Sequence, residues 1–259
     1  MTFTGRVAMV TGGGSGLGQA AALRLAKPGV AVAVLDLNEA GMVDIAERGG
    51  AGVSTYACDV TDPDSVATVV EKIESDLGPI DRLVHAAGIM PAGRILDTSI
   101  EVLTAPMRVN YFGTVNVTKA VLPRMVERRR GDVVLFGSIT GYSPSTNFSA
   151  YCASKAAVNT YGEILIHEQR NSGLRMVLVC PSAVNTPLLA QASAGGPKAF
   201  KDTVTAGRTA DPEKILDKIE KALERGTTLL LPGEALPMYG LRRLSPGLMW
   251  RLVHRMNRD

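Results

Sequence analysis

Runs dominated by apolar residues recur along the chain, and stretches with helical periodicity lie between most of them. The runs at 7–10, 30–35, 53–58, 82–85, 132–136, 176–180 and 228–231 are predicted as strands. Continuous rather than alternating apolar character marks strands buried on both faces, the condition of a parallel sheet covered by helices. Helices are predicted over 19–27, 62–77, 102–124, 151–169 and 212–225, with Asp62 as an N-cap and Pro63 in the first turn of the second. Seven strands with intervening helices predict an α/β fold, a doubly wound parallel sheet with helices on both faces. Composition does not break anywhere, so 1–233 reads as a single domain and 234–259 as an extension of it. Residues 187–211 lack clear periodicity and read as a lid or binding loop.

Composition narrows the setting without naming a chemistry. A formal charge of +3 over 259 residues does not suggest nucleic acid. Cys58, Cys152 and Cys180 are odd in number and show no metal spacing, which disfavours a disulfide framework and fits a reducing, cytoplasmic setting. The N-terminus lacks the apolar stretch of a signal peptide, and no apolar run approaches the roughly 18 residues of a membrane span. No metal site is expected.

The first candidate chemistry is Thr11-Gly12-Gly13-Gly14-Ser15-Gly16-Leu17-Gly18, between the first strand and the first helix. Glycines there let the chain turn tightly and bring backbone amides and a helix N-terminus up to a pyrophosphate. A turn with spare glycines is the alternative. Asp36, twenty residues after Gly16 at the end of the second strand, is placed to accept hydrogen bonds from ribose hydroxyls. Its carboxylate would repel a ribose phosphate, and no Lys or Arg sits in the loop, so NAD is expected over NADP. A solvated strand-end acid is the plainer reading of Asp36.

Tyr151 and Lys155 lie four apart and share a helix face. A lysine and a positive nicotinamide ring would lower the phenol pKa and let it exchange a proton with an alcohol or ketone. An ordinary helix face carries the same spacing by chance.

Taken in order, these features resemble the short-chain dehydrogenase/reductase family over nearly the whole chain. TGxxxGxG is residues 11–18, an Asp-Val pair is Asp59-Val60, the helix asparagine is Asn110, the strand-end serine is Ser138, the Tyr-Lys pair is Tyr151 and Lys155, and a Pro-to-Thr segment is 181–186. The resemblance implies that Ser138 orients the substrate oxygen and Tyr151 is the general acid/base. Lys155 would lower the tyrosine pKa and hold the nicotinamide ribose, Asn110 would bind a proton-relay water, and Thr186 would hold the carboxamide. It implies cofactor contacts from Gly12, Ser15, Gly16, Leu17, Gly18, Asp36, Leu37, Asp59, Val60, Ala86, Ala87, Gly88, Tyr151, Lys155, Pro181 and Thr186. Two departures stand out. The family's Asn-Asn-Ala-Gly is His85-Ala86-Ala87-Gly88 here, with His85 read as structural, and its Pro-Gly is Pro181-Ser182. Members commonly pair through the helices bearing Asn110 and Tyr151, so a homo-dimer or homo-tetramer is expected.

The C-terminal extension is unlike the family's usual short tail. Met249, Leu252, Val253 and Met256 fall on one helical face and Arg251, Arg255 and Arg258 on the other. Residues 235–259 hold five arginines against the single acid Asp259, a net +4. Packing on the body or a second subunit, a peripheral contact with an anionic membrane, and a lid over the substrate pocket are the three roles open to it. The expectation as a whole is a Rossmann-like oxidoreductase moving a hydride between NAD(H) and a hydrophobic secondary alcohol or ketone. The alternatives are a non-catalytic NAD-binding module and a peripheral membrane protein acting through its tail.

Overall fold

The strands β1 (Val7–Thr11), β2 (Ala31–Asp36), β3 (Val53–Ala57), β4 (Arg82–His85), β5 (Gly131–Phe136), β6 (Leu174–Val179) and β7 (Leu229–Leu230) form one sheet in the order β3-β2-β1-β4-β5-β6-β7. Every pairing is parallel. This is a computed structural model, and it describes residues 3–193 and 195–257. Arg258, assigned above to the basic face of the tail, lies outside the described residues.

The apolar runs are continuous because alternate residues feed two cores. Met9, Leu35, Leu83, Val133 and Leu178 face one layer, which holds α3 (Pro63–Leu77) and α5 (Gly113–Glu127) through Val66, Val70, Ile73, Val117, Val121 and Met125. Ala8, Val10, Val34, Val84 and Val177 face the other. There α1 (Gly16–Leu25) and α9 (Pro212–Arg225) supply Ala21, Ala22, Leu25, Ile215, Leu216 and Ile219. The remaining helices are α2 (Glu39–Gly49), α4 (Ile100–Pro106), α6 (Ser149–Glu168), α7 (Pro187–Ser193), α8 (Lys198–Thr205), α10 (Ala235–Leu244) and α11 (Pro246–Met256). At the end of the sheet where the strands begin, buried Arg82 pairs with Asp132 at 2.7 Å and with Glu220 of α9 at 2.5 Å. The opposite end, where the strands finish, is left for a site.

Local chemistry explains most boundaries. Asp62 accepts from the Asp64 amide at 3.0 Å, and Pro63 opens α3 as expected. The helix predicted over 102–124 runs from Ile100 to Glu127 but is interrupted by a π-helical turn, Met107–Phe112. The helix α2 was not expected. It buries only Gly41 and Ile45, too little to leave a periodic pattern. Residues 187–211 are not a plain loop, since they carry α7 and α8, each too short for its period to show in the sequence. The C-terminal extension is two helices broken at Ser245-Pro246, where the sequence suggested one.

Candidate active site

Strand order reverses between β1 and β4, and the crevice beyond their ends is where doubly wound sheets place ligands. The glycine loop forms one wall of it. Gly12 has φ +66°, and a Cβ there would sit 2.6 Å from the Ala87 nitrogen, so only glycine lets the two loops meet. A Cβ on Gly18 would lie 2.1 Å from the Gly12 carbonyl oxygen, which is why α1 starts so close to the strand it follows. Asp36 ends β2 with its carboxylate held by three amides. Oδ2 accepts from Gly14 at 2.8 Å, and Oδ1 accepts from Leu37 at 2.8 Å and Asn38 at 3.0 Å.

His85 is a brace between β1, β4 and α5. Its Nδ1 meets the Thr11 hydroxyl at 2.7 Å and its Nε2 the Thr114 hydroxyl at 3.0 Å. Burial, helped by the nearby Lys155 charge, pushes its pKa down to about 3. The imidazole is therefore neutral, and its role is structural.

The catalytic candidates come from the ends of β5 and α6. Ser138 follows β5, and its backbone is pinned by Asn159 of α6. The Ser138 amide donates to Asn159 Oδ1 at 3.2 Å, and Asn159 Nδ2 donates to the Ser138 carbonyl at 2.9 Å. Sequence reasoning missed Asn159. Its signal was available, because 151, 155 and 159 recur every fourth residue on one helix face. Ser138 Oγ pairs with Thr140 Oγ1 at 2.9 Å and also interacts with the Tyr151 phenol.

Lys155 Nζ lies 5.9 Å from the Tyr151 ring centre and donates to the Phe136 carbonyl at 2.7 Å. Burial lowers the Lys155 pKa to about 8. Burial raises that of Tyr151 to about 12, with the Ser138 hydrogen bond as the opposing influence. Desolvation of the phenolate, rather than the lysine charge, sets the direction of this shift.

Asn110 sits in the π-helical turn. Its side chain is engaged with Ile89, accepting from the amide at 2.8 Å and donating to the carbonyl at 3.0 Å, and it also donates to Ser154 Oγ at 2.9 Å. Thr186 donates to the Val184 carbonyl at 3.2 Å and packs over Gly16, whose missing Cβ would fall 3.2 Å from it.

A cavity of about 750 Å³ is lined by every residue assigned above to cofactor contact, and by Ser138. Asn110 does not line it. Away from the glycine loop many of the lining residues are apolar, with Gln191, Thr203, Arg208 and Glu234 among the polar ones. The apolar ones include Met90, Phe148, Leu188, Leu189 and Phe200, with Phe148 and Phe200 edge to face at 5.0 Å. Met238, Met249, Val253 and Met256 join them from the C-terminal helices. Met249 and Val253 are buried, so the tail packs on the body and walls the cavity together.

A family model described as short chain dehydrogenase matches residues 6–196. The chain belongs to the short-chain dehydrogenase family. "Probable oxidoreductase EphD" of Mycobacterium tuberculosis is 33% identical over 260 residues, a match covering 94% of this chain and 44% of that protein. The chain thus spans less than half the length of this relative. "Dehydrogenase/reductase SDR family member 7B" of Bos taurus is 34% identical, covering 95% of this chain and 80% of its own. The fold resembles that of a short-chain dehydrogenase/reductase from Burkholderia phymatum in complex with NAD, with a TM-score of 0.83, 23% identity and 96% of each chain covered. Within the family frame, Ala86 and Ser182, where this chain departs from the usual residues, both line the cavity.

Proposed function

We propose that this protein is an NAD-dependent dehydrogenase of apolar secondary alcohols, or in reverse a ketone reductase, with Tyr151 as its general acid/base. The observation that carries the reading is that Tyr151, Ser138 and Lys155 line the same cavity as the glycine loop and a group of apolar side chains. The cradle fits a dinucleotide. Gly12 and Gly16 leave the space that a Cβ would fill, and the α1 N-terminus opens onto it. Gly12, Ser15, Gly16, Leu17 and Gly18 would hold the pyrophosphate, and Asp36 and Leu37 the adenosine ribose. Asp59 and Val60 would flank adenine, and Ala86, Ala87, Gly88, Pro181 and Thr186 would hold the nicotinamide half. The Asp36 carboxylate supports NAD over NADP, since a second anion beside it would be repelled.

Bound NAD supplies a hydride acceptor and a positive ring. The chain's own groups do the rest. Ser138 hydrogen-bonds the reacting oxygen. Tyr151, held protonated by burial, is in the state a ketone reductase needs to donate a proton. Taking a proton from an alcohol requires the phenolate, for which the Lys155 ammonium is the neighbouring cation and an oxidised nicotinamide would supply a second. Asn110 fixes the Ile89 backbone beside Gly88, and the lone pair it retains on Oδ1 is its remaining site for a relay water. The half-exposed Phe112 and Ile164, on the helical stretches bearing Asn110 and Tyr151, support a homo-oligomer through those helices. Three free, buried cysteines support a cytoplasmic, reducing setting.

The test is reduced-nicotinamide absorbance with NAD and NADP against aliphatic, aromatic and steroid alcohols. Wild type should turn over with NAD, and Tyr151→Phe should lose about 10²–10⁴-fold. Full activity in Tyr151→Phe would overturn the mechanism. Tight NAD binding without turnover on any alcohol or ketone would favour the binding-module reading.

A further inference from the structure

The helix α11 has two faces with different fates. Met249 and Val253 point into the cavity wall and are buried. Leu248, Leu252 and Met256, each four residues apart, form an exposed apolar stripe beside them, and Leu236 and Leu244 of α10 are exposed as well, Leu244 by 87%. Arg251 and Arg255 border the stripe, three residues on from Leu248 and Leu252. Arg242 and Arg243 precede it on α10. Residues 235–257 contain no acid. Elsewhere Arg24, Arg48, Arg124 and Arg128 are paired with carboxylates. The four arginines of α10 and α11 have no acidic partner among the described residues; Arg242 stands over Trp250 and Arg243 donates to the Tyr239 hydroxyl.

We propose that α10 and α11 form a membrane-docking face that lays its leucines into the interfacial layer of a bilayer and its arginines among anionic headgroups. Exposed leucines beside unpaired arginines are the composition of an interfacial helix. Charge decides against a second copy of the chain as the occupant, because a twofold contact through this face would bring arginines onto arginines. No helix among the described residues is long and apolar enough to cross a membrane, so the contact is a surface one.

The face is continuous with the cavity. Met256 belongs to the exposed stripe and also lines the cavity, and Asn257 beyond it accepts from the Ala199 amide of α8 at 3.0 Å. The cavity wall therefore reaches the docking face at Met256. Resting on the proposed function, this assigns the substrate class as alcohols or ketones that partition into lipid.

The experiment is co-sedimentation of the full chain with vesicles of phosphatidylcholine alone or mixed with phosphatidylglycerol. Binding needs no turnover, so it stands or falls apart from the hydride chemistry. Wild type should bind the anionic vesicles about tenfold or more over neutral ones, and added salt should weaken this. The variant Leu248→Ser/Leu252→Ser, altered only at exposed positions outside the cavity lining, should lose about tenfold in vesicle binding. Its melting temperature and its turnover of a water-soluble alcohol should stay unchanged. Arg251→Gln/Arg255→Gln should abolish most of the preference for anionic lipid. Equal binding to neutral and anionic vesicles, or undiminished binding by the leucine variant, would overturn the proposal.

Discussion

The ammonium of Lys155 donates to the main-chain carbonyl of Phe136 at 2.7 Å, which ties the first turns of α6 to the end of β5. The bond fixes Lys155 beside Tyr151 in a position where water cannot solvate its charge. Burial brings its pKa down to about 8 from the ordinary 10.5. Below about pH 8 the folded protein carries the full cost of a buried ammonium. As the pH rises from 8 to 10.5 the unfolded chain binds more protons than the folded one, and that cost is relieved. Lys155→Met removes the titration. Wild type is therefore expected to gain on the variant by roughly 2–4 kcal/mol between pH 7.5 and 10.5, measured by urea denaturation. A constant gap would show that the lysine is not desolvated as described. Turnover should be lost in the variant at every pH.

His85 makes the opposite end of the pH scale informative. Its pKa of about 3 lies below the ordinary 6.5, so the unfolded chain takes up the proton first as the solution is acidified. The stability associated with the neutral imidazole is complete above pH 6.5 and is lost progressively as the pH falls towards 3. His85→Asn keeps a polar group between Thr11 and Thr114 without this titration. Its stability should fall less steeply than that of wild type between pH 6.5 and 4, with a difference of roughly 2–4 kcal/mol. Parallel pH profiles would refute the assignment of a buried neutral imidazole.

Asp36 should govern the choice of cofactor. In Asp36→Ser the anion is gone while a hydrogen-bonding side chain remains at the end of β2. The ratio of kcat/KM for NAD to that for NADP should drop about ten- to a hundredfold. An unchanged ratio would mean that the carboxylate serves only to hold the Gly14, Leu37 and Asn38 amides.

Gly12→Ala tests the meeting of the two loops. The substitution adds a Cβ at φ +66° and 2.6 Å from the Ala87 nitrogen, so backbone must shift. A loss of roughly 2–4 kcal/mol in stability is expected, together with much weaker NAD binding by calorimetry. Near-native affinity in a stable variant would show that the loops need not touch.

The membership of the sheet, the glycine loop and the Tyr151-Lys155 pair were legible in the sequence because each rests on local rules. Buried strands must be apolar throughout, a tight turn must be glycine, and residues four apart on a helix must share a face. What was hidden was short or non-local. The helices α7 and α8 are too brief to display a period, and α2 buries too little to show one. Asn159 looked like any helix residue until the fold set it against the Ser138 backbone.

The sequence by itself determined a doubly wound parallel sheet, the side of it that would carry the chemistry, and a basic amphipathic tail. Tertiary structure decided what surrounds those groups, because desolvation depends on which elements close over a side chain. The same burial lifts the Tyr151 phenol, depresses Lys155 and neutralises His85. Tertiary structure also decided that one face of the tail would become the wall of the cavity, while the flank beside it, with its leucines and arginines, stays exposed.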